Sequence, residues 1–298
     1  MLEMLSNRIR KNARHLSKWG RRRGISCYRL YDRDIPEFPL VVDYYEGRVH
    51  LQILSGDVSR EIVTAVAGAL GLPEESVRSK RREGQKGESQ YEKTGTRGED
   101  FVVSENGHKF IVNLDAYLDT GLFLDHRNMR KMVGDRARGK RFLNLFAYTG
   151  SFTVYAAKGG AVSSTTVDLS NTYLEWAKKN FLLNEIDINK NILLRSDVKA
   201  FLEEDGKEYD LIVLDPPTYS NSKKMEGDFD VQRDHVRMIG QCMALLAPQG
   251  ELFFSCNLKS FRLDEGALAH FDHAEISAQT VPEDFRNKKI HRAWLFRS

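Results

Sequence analysis

The sequence is poor in the residues and runs that mark secreted, disulfide-rich and membrane-spanning proteins. Its 298 residues include three cysteines and no C-x-x-C pair, which excludes a disulfide framework and a structural zinc site. No apolar run approaches the ~20 residues that span a bilayer. The basic N-terminus also lacks the apolar segment of a secretory signal. We therefore expect a protein of the reducing cytoplasm with no membrane partner.

The net charge of the whole chain is small, but positive charge is concentrated in its first third. Lys and Arg number 45 against 42 Asp and Glu, so the net charge is only +3. Residues 1–24 hold eight basic residues and one acid, a balance of +7 that leaves −4 for the rest. A second basic stretch covers residues 78–97. Clustered cations of this kind are typical of a polyanion-binding surface. The cations expected to contact phosphates are Arg8, Lys11, Arg14, Lys18, Arg22, Lys80, Arg81 and Arg82.

Hydrophobic periodicity divides the chain into two parts. A hydrophobic content of 41% and a mean hydropathy of −0.48 indicate a globular protein of one large domain or two. The first part, residues 1–112, is predicted to contain helices at 1–24 and 61–70 and strands at 26–30, 39–45, 48–54, 101–103 and 109–112. Residues 82–98 lack periodicity, and we expect them to form a mobile or partner-ordered loop.

In residues 113–298 strands alternate with helices. Strands are predicted at residues 142–146, 164–167, 191–194, 209–214 and 251–255, with helices at 151–157, 171–183, 198–203 and 228–246 between them. This alternation predicts a doubly wound parallel sheet, hence an α/β fold. Residues 275–280 and 291–297 are predicted to add two more strands as a hairpin at the sheet edge.

The informative side chains fall at the carboxyl ends of these strands, where such sheets bind ligands. The turn at residues 144–151 runs straight into a helix, whose free N–H groups can bind a carboxylate. It contains only Gly150, so it is not the G-x-G-x-x-G fingerprint of a dinucleotide-binding oxidoreductase. Asp168, Asp197 and Asp215 then end the next three strands. An Asp alone at a strand end is more often a helix cap. Three together suit a cationic ligand with an amine, a ribose and an adenine, as in S-adenosylmethionine.

The motif Asp215-Pro-Pro-Thr-Tyr219 is the most specific of these features. Two prolines fix the backbone and remove two donors, so nearby carbonyls stay free for a substrate amine or a base edge. The aromatic ring of Tyr219 can stack on a planar base. The alternative is a rigid strand exit with a core tyrosine.

Together, these motifs resemble those of class I S-adenosylmethionine-dependent RNA methyltransferases. The segments that carry the resemblance are residues 144–157, 167–170, 215–219 and 254–257. Residues 117–127 and 229–235 resemble, more specifically, the C-terminal half of bifunctional RlmKL-type 23S rRNA methyltransferases, which methylates guanine N7. Similarity continues at residues 7–11, 28–31, 284–285 and 290–291, so it covers nearly the whole chain.

The resemblance implies a Rossmann-like class I methyltransferase sheet in residues 113–298 and a smaller N-terminal α+β RNA-binding subdomain in residues 1–112. It implies 23S rRNA, naked or in an early assembly intermediate, as the partner. The family's other half, a second methyltransferase with an RNA-binding THUMP module, is absent from this sequence. We expect the chain to be a fragment or a stand-alone relative, with that half as a separate or fused partner.

The resemblance also assigns site residues. It places the methionine part of the cofactor at Asn144, Phe146, Tyr148, Thr149, Gly150 and Ser151. It places the ribose at Asp168, Leu169 and Ser170, and the adenine at Asp197 and Val198. Asp215 is expected to hold the cofactor's amino end or the target base, and Pro216, Pro217 and Tyr219 complete the catalytic set. Asp125 and Arg127 would close the cofactor pocket; without the resemblance, they are more simply the start of a solvated helix.

Guanine N7 carries a lone pair and no proton, so direct attack on the methyl group needs neither a base nor a covalent intermediate. The reactive base is expected to be unpaired or flipped. Tyr219, Phe229 and Tyr148 are the stacking candidates, though any of them could be a core residue.

Other functions stay open at this point. Cys256 follows the fifth strand, and cytosine C5 methylation would use it as a nucleophile. A non-catalytic RNA-binding protein on a methyltransferase fold is a second alternative. Methylation of a protein or small molecule is a third, disfavoured by the basic segments. The eight histidines show no ligand spacing, so we expect no metal.

Overall fold

The structure is a computed structural model that describes residues 1–57, 59–81, 98–117, 119–204, 206, 208–221 and 227–298. The chain forms two compact units. The first unit contains Met1–Leu124 and Glu283–Asn287, and the second contains Asp125–Pro282 and Lys288–Ser298. The change in hydrophobic period predicted the division after residue 112. Arg82, and the loop expected around it up to residue 97, lie outside the described residues.

The first unit is built on a four-stranded sheet in the order β1-β2-β3-β4. Its strands are β1 (Cys27–Asp32), β2 (Leu40–Tyr45), β3 (Arg48–Ile53) and β4 (Val77–Arg81). The first two pairings are antiparallel, and β4 is parallel to β3 because helix α2 (Arg60–Leu70) crosses over between them. Strand β4 was not predicted from the sequence, because Val77 is its only buried residue.

Helix α1 (Leu2–Arg23) packs against α2 and β1 with its apolar face. Leu5 and Ile9 are fully buried, and the helix ends at Gly24, which has φ 65°. A separate hairpin of β5 (Phe101–Glu105) and β6 (His108–Val112) turns at Asn106-Gly107, both in the left-handed region that such turns require.

The second unit contains a seven-stranded sheet in the order β14-β15-β13-β10-β7-β8-β9. Its strands are β7 (Arg141–Leu145), β8 (Ser163–Asp168), β9 (Asn191–Arg195), β10 (Tyr209–Leu214), β13 (Leu246–Cys256), β14 (Asp272–Glu275) and β15 (Arg292–Arg297). Strands β11 (Tyr219–Ser220) and β12 (Phe229–Asp230) pair outside it. The helices are α3 (Arg127–Arg136), α4 (Ser151–Lys158), α5 (Asn171–Leu183), α6 (Val198–Glu204), α7 (Val231–Ala244) and α8 (Ser277–Thr280). Strands β9, β8, β7, β10 and β13 are parallel neighbours, as predicted for a doubly wound sheet.

Hydrophobic layers cover both faces of the central strands. Along β10, Ile212 and Leu214 join one core cluster, while Leu211 and Val213 join the cluster on the opposite face. All four side chains have no exposed surface. Burial on both faces explains why residues 211–214 of this strand form a continuous apolar run in the sequence.

The structure corrects two predicted elements. Residues 275–280 were expected to be a strand, but β14 ends at Glu275 and a helical turn follows. Past Glu275 the N–H of Ile276 still donates to the Ala293 carbonyl at 2.8 Å, whereas the N–H of Ala293 donates to the Ser277 hydroxyl at 3.0 Å in place of a main-chain carbonyl. Helix α7 begins at Val231 rather than at residue 228, because Asp230 belongs to β12 and its side chain caps the N–H of Arg233 at 3.0 Å.

Within the ranges that the structure describes, no helix combines the length and apolarity needed to cross a membrane.

Candidate active site

The site lies where the strand order reverses. From β7 the chain builds outward through β8 and β9 on one side, and then through β10 and β13 on the other. The carboxyl ends of β7 and β10 therefore flank the topological switch point. Leu145 is in register with both Val167 and Leu214. The residues that follow these three partners, Phe146, Asp168 and Asp215, consequently emerge side by side along one sheet edge.

The turn between β7 and α4 has an unusual backbone. Phe146 has φ 54°, Tyr148 has φ 51° and Gly150 has φ 72°. Residues other than glycine seldom adopt this region, and such conformations concentrate at functional sites. A Cβ atom at Gly150 would lie 2.9 Å from side-chain atoms of both Ala177 and Phe181, so helix α5 leaves room only for glycine. Gly150 was predicted from the sequence as a residue of this turn, but nothing in the sequence pattern indicated the left-handed conformations of Phe146 and Tyr148.

Asp168 joins the turn to the next strand end. Its Oδ2 accepts the N–H of Tyr148 and its Oδ1 accepts the N–H of Ser170, both at 2.8 Å. Helix α5 is capped by the Ser170 hydroxyl, so Asp168 is not the helix cap that its position alone would favour. Burial raises the pKa of Asp168 to about 6, against the opposing effect of the backbone N–H groups. Each carboxylate oxygen keeps a further lone pair for a hydroxyl donor.

The Asp215 motif leads out of β10 toward a short exposed ladder. Ser255 at the end of β13 donates its hydroxyl to Asp215 Oδ1. Pro216 is buried and Pro217 half-buried, while Tyr219 is 41% exposed. Tyr219 is therefore accessible for stacking on a base. The expectation of a stacking role for Phe229 is wrong, because this side chain has no exposed surface and belongs to the core.

The remaining turn residues are engaged in packing. Tyr148 is half-buried, with its ring edge-on to Tyr173 at 4.6 Å between centroids. Asn144 is buried, and its amide donates to Thr153 Oγ1 at 3.0 Å. The Thr149 carbonyl accepts from the side chain of Asn180 at 3.0 Å. Their assigned contacts with the cofactor stay predictions.

Asp197 acts locally as a cap, because its Oδ1 accepts the N–H of Lys199 in the first turn of α6 at 3.0 Å. Val198 beside it is 2% exposed, and Ser151 opens α4 with 9% exposure. The adenine contact assigned to Asp197 and Val198 likewise stays a prediction.

Asp125 and Arg127 are not the start of a solvated helix. Arg127 is 1% exposed. The side chain of Asp125 is 15% exposed and its Oδ2 is 3.0 Å from His291 Nδ1. His126 lies between them in sequence, with Nε2 3.5 Å from Asp215 Oδ2. His126 and His291 were not predicted as site residues, because they are far apart in the chain and only the fold brings their rings together.

Cys256 is a buried thiol. It is 1% exposed, and burial raises its pKa to about 12. A thiol in this state is almost fully protonated at neutral pH, which opposes its use as a nucleophile.

The predicted phosphate contacts fall into two groups. Of the predicted cations, Lys11, Arg14, Lys18 and Arg22 are exposed and have no acidic partner within the described ranges. Arg8 is 3.5 Å from Asp34, and Arg81 is 3.8 Å from Asp57. Lys80 donates to the carbonyl of Tyr117, and burial lowers its pKa. The first group is the better placed to bind phosphates.

Known proteins resemble this chain in sequence. Residues 51–269 match the family model of S-adenosylmethionine-dependent methyltransferases. The ribosomal RNA large subunit methyltransferase K of Neisseria meningitidis serogroup B is 57% identical, covering 98% of this chain and 86% of that protein. The ribosomal RNA large subunit methyltransferase K/L of Ectopseudomonas mendocina is 52% identical, covering 99% of this chain. The chain spans only 42% of that second protein's length.

Two solved structures share the fold. A methyltransferase crystallised in complex with SAH has a TM-score of 0.83 at 24% identity, covering 100% of this chain and 82% of that one. A SAM-dependent methyltransferase from Streptococcus mutans has a TM-score of 0.81, also at 24% identity, covering 100% of this chain and 81% of that one. The shared fold agrees with the Rossmann-like sheet expected from the sequence.

Proposed function

We propose that this chain methylates guanine N7 of 23S rRNA. The chain belongs to the S-adenosylmethionine-dependent methyltransferase family and, within it, to the ribosomal RNA large subunit methyltransferases K and K/L. The observation that carries the proposal is the row formed by the left-handed turn, Asp168 and Asp215 at the switch point. It combines acceptors for a ribose and a cation with an accessible aromatic residue, Tyr219.

The cofactor is S-adenosylmethionine, and the side chains at the site fit it. Asp168 has unused lone pairs on both oxygens, which suits two ribose hydroxyls. Asp215 keeps one oxygen, Oδ2, outside its bond with Ser255, and its side chain is 24% exposed. When bound, the cofactor supplies an electrophilic methyl group and leaves as a neutral thioether.

The chain's residues position the two reactants. Asp168 orients the ribose, and the turn around Tyr148 and Gly150 holds the methionine end. Tyr219 stacks on the flipped guanine, while Asp215 contacts the base or the cofactor's amino group. Holding the nucleophile and the methyl group in line contributes most of the rate enhancement when no proton is transferred.

Guanine N7 is favoured as the acceptor because it requires no further catalytic group. The N7 lone pair forms the new N–C bond while the S–C bond breaks, and positive charge moves from sulfur to the purine. The protonated state of Cys256 supports this route over covalent addition to a cytosine.

The exposed cations of α1 are proposed to hold the phosphates of the RNA. The partner would be naked 23S rRNA or an early assembly intermediate, and the reaction would take place in the cytoplasm. The additional length of the K/L relative is consistent with a second, separate or fused, methyltransferase half as a partner.

The test is methyl transfer to naked 23S rRNA, followed by mass spectrometry of the nucleosides. We expect 7-methylguanosine with the native chain and none with Asp215→Ala. Formation of 5-methylcytidine or N2-methylguanosine instead would refute the guanine-N7 assignment. Absence of calorimetric heat with high-micromolar S-adenosylmethionine would instead favour a non-catalytic RNA-binding protein.

The RNA surface has its own test. Replacing Lys11, Arg14 and Arg22 with Gln should weaken RNA binding and reduce the slope of log affinity against log salt by about 3, one for each phosphate contact. Cofactor affinity should not change. Arg8→Gln is the matched control, because its partner Asp34 already competes for this cation. A salt slope equal to that of the native chain would contradict the assignment of α1.

A further inference from the structure

Two buried histidines, His126 and His291, and two partly exposed carboxylates, Asp125 and Asp215, form an array at the end of β10. His126 and His291 stack face to face, with centroids 4.5 Å apart and planes 8° from parallel. Asp125 flanks His291 at 3.0 Å, and Asp215 flanks His126 at 3.5 Å. The proposed reaction uses Asp215, and the resemblance assigns Asp125 to the cofactor pocket, but neither gives a role to His126 or His291.

The array is not arranged to bind a metal ion, although ligand atoms of Asp125, His126 and His291 all lie within 4.8 Å of one another. A ring nitrogen coordinates a metal along its lone pair, which lies in the plane of the ring. Because the two stacked rings lie in separate, nearly parallel planes, a single ion cannot lie in both planes and be coordinated by both rings. The nitrogens of His291 also lie within hydrogen-bond distance of other groups, Nδ1 at 3.0 Å from Asp125 and Nε2 at 2.9 Å from Thr280 Oγ1.

The stack fixes the ring of His126. One face lies on His291, which is itself held by Asp125 and Thr280. The ring of Phe152 contacts it edge-on, at 5.8 Å between centroids. Only 8% of the His126 side chain is exposed, so the plane of the ring is held by its neighbours.

The surroundings also determine which nitrogen carries the proton. His126 Nε2 lies 3.5 Å from Asp215 and 3.9 Å from Asp125. Nδ1 is buried with no hydrogen-bond partner in the part of the chain that the structure describes. A proton on Nδ1 would be buried and unpaired, whereas a proton on Nε2 faces two carboxylates. Burial, together with His291 and Arg130, lowers the pKa of His126 against the attraction of these carboxylates, which favours the neutral ring.

We infer that His126 is a positioning residue whose Nε2–H donates to Asp215 Oδ2 and, together with the Ser255 hydroxyl on Oδ1, fixes the orientation of this carboxylate for methyl transfer. The inference rests on the proposed function for its role in the reaction. The two donors come from different parts of the fold, the turn before α3 and the end of β13. The 3.5 Å separation is expected to shorten in the reactive complex, as active-site hydrogen bonds commonly do.

Three substitutions at one position test the donor. Glutamine places its amide nitrogen near the position of Nε2, asparagine places it near that of Nδ1, and phenylalanine keeps the stack without any donor. We expect His126→Gln to keep kcat within about threefold of the native value. His126→Asn and His126→Phe should lose on the order of 10- to 100-fold in kcat/KM, the usual effect of losing a hydrogen bond to a charged group.

His273→Gln is the matched control. His273 also lies beside a carboxylate, Glu265 at 2.8 Å, but belongs to the edge strand β14. This variant should match the native enzyme. Equal activity in all three His126 variants, or a glutamine variant as slow as the phenylalanine variant, would overturn the inference while leaving the proposed reaction intact.

A second measurement does not depend on activity. Nitrogen-15 NMR of the native chain should show His126 as a neutral ring protonated at Nε2, and Asp215→Asn should shift that signal. A ring protonated at Nδ1 would refute the inference, whether or not the chain methylates RNA. A bound transition metal that is lost on His126→Gln would refute it as well, because Nε2 would then be a ligand rather than a donor.

Discussion

Lowering the pH from 8 to 5 should weaken S-adenosylmethionine binding about tenfold, because Asp168 titrates near pH 6. The ionised carboxylate can accept both ribose hydroxyls beyond its two backbone bonds, whereas the protonated form loses much of this capacity. With a pKa of about 6, roughly a tenth of the carboxyl groups are ionised at pH 5 and nearly all at pH 8. The apparent dissociation constant for S-adenosylmethionine varies as the inverse of the ionised fraction, so it should be about tenfold higher at pH 5 than at pH 8.

Calorimetric titration across this pH range is the assay. Asp168→Asn should bind more weakly at pH 8 and show a flat pH profile, since the amide does not titrate. S-adenosylhomocysteine is the matched control ligand: it keeps the ribose and lacks the sulfonium charge, so its profile should have the same slope. A flat profile for the native chain, or an unchanged slope in Asp168→Asn, would refute the ribose contact at Asp168.

The free energy of unfolding without cofactor should change in the opposite direction, being higher at pH 5 than at pH 8. A folded-state pKa raised from 3.8 to about 6 means that the protonated carboxyl favours the fold. This contribution is complete below pH ~4 and is lost as the pH rises through about 6. Relative to Asp168→Asn, the native chain should therefore lose about 1 kcal/mol of unfolding free energy between pH 5 and pH 8 in urea titrations. An unchanged difference would show that the carboxyl is not desolvated.

The remaining predictions concern single side chains. Cys256→Ala should keep full methyl transfer because the buried thiol is protonated; loss of activity, with a covalent RNA adduct trapped by the native enzyme, would contradict this. Gly150→Ala should destabilise the chain in urea by about 1–3 kcal/mol more than Gly139→Ala, since φ is 72° and 74° but only Gly150 has neighbours within 4 Å of an added Cβ. Equal losses would mean that α5 tolerates the methyl group. Tyr219→Ala should reduce RNA kcat/KM on the order of 10- to 100-fold and leave the melting temperature nearly unchanged, because the ring is exposed; a core role would instead lower the melting temperature.

Much of the fold was predictable because the responsible signals are local. Residues 211–214 of β10 form an unbroken apolar run that is followed by Asp215 and two prolines, and α5 was predicted with its observed bounds, Asn171–Leu183. Elements with weak local signals were missed. Strand β4 has one buried residue, and α3 carries an unusual set of buried charges that includes Arg127 and Arg130.

The sequence by itself determined the parallel sheet, the acids at its strand ends and the basic face of α1, because periodicity, strand-end position and charge are properties of neighbouring residues. Only the tertiary structure decided which of these groups meet. It placed Phe229 in the core, left Tyr219 exposed and stacked His126 on His291. Burial and pairing depend on residues distant in the chain, so the raised pKa of Asp168 and the array beside Asp215 follow from packing that no local pattern records.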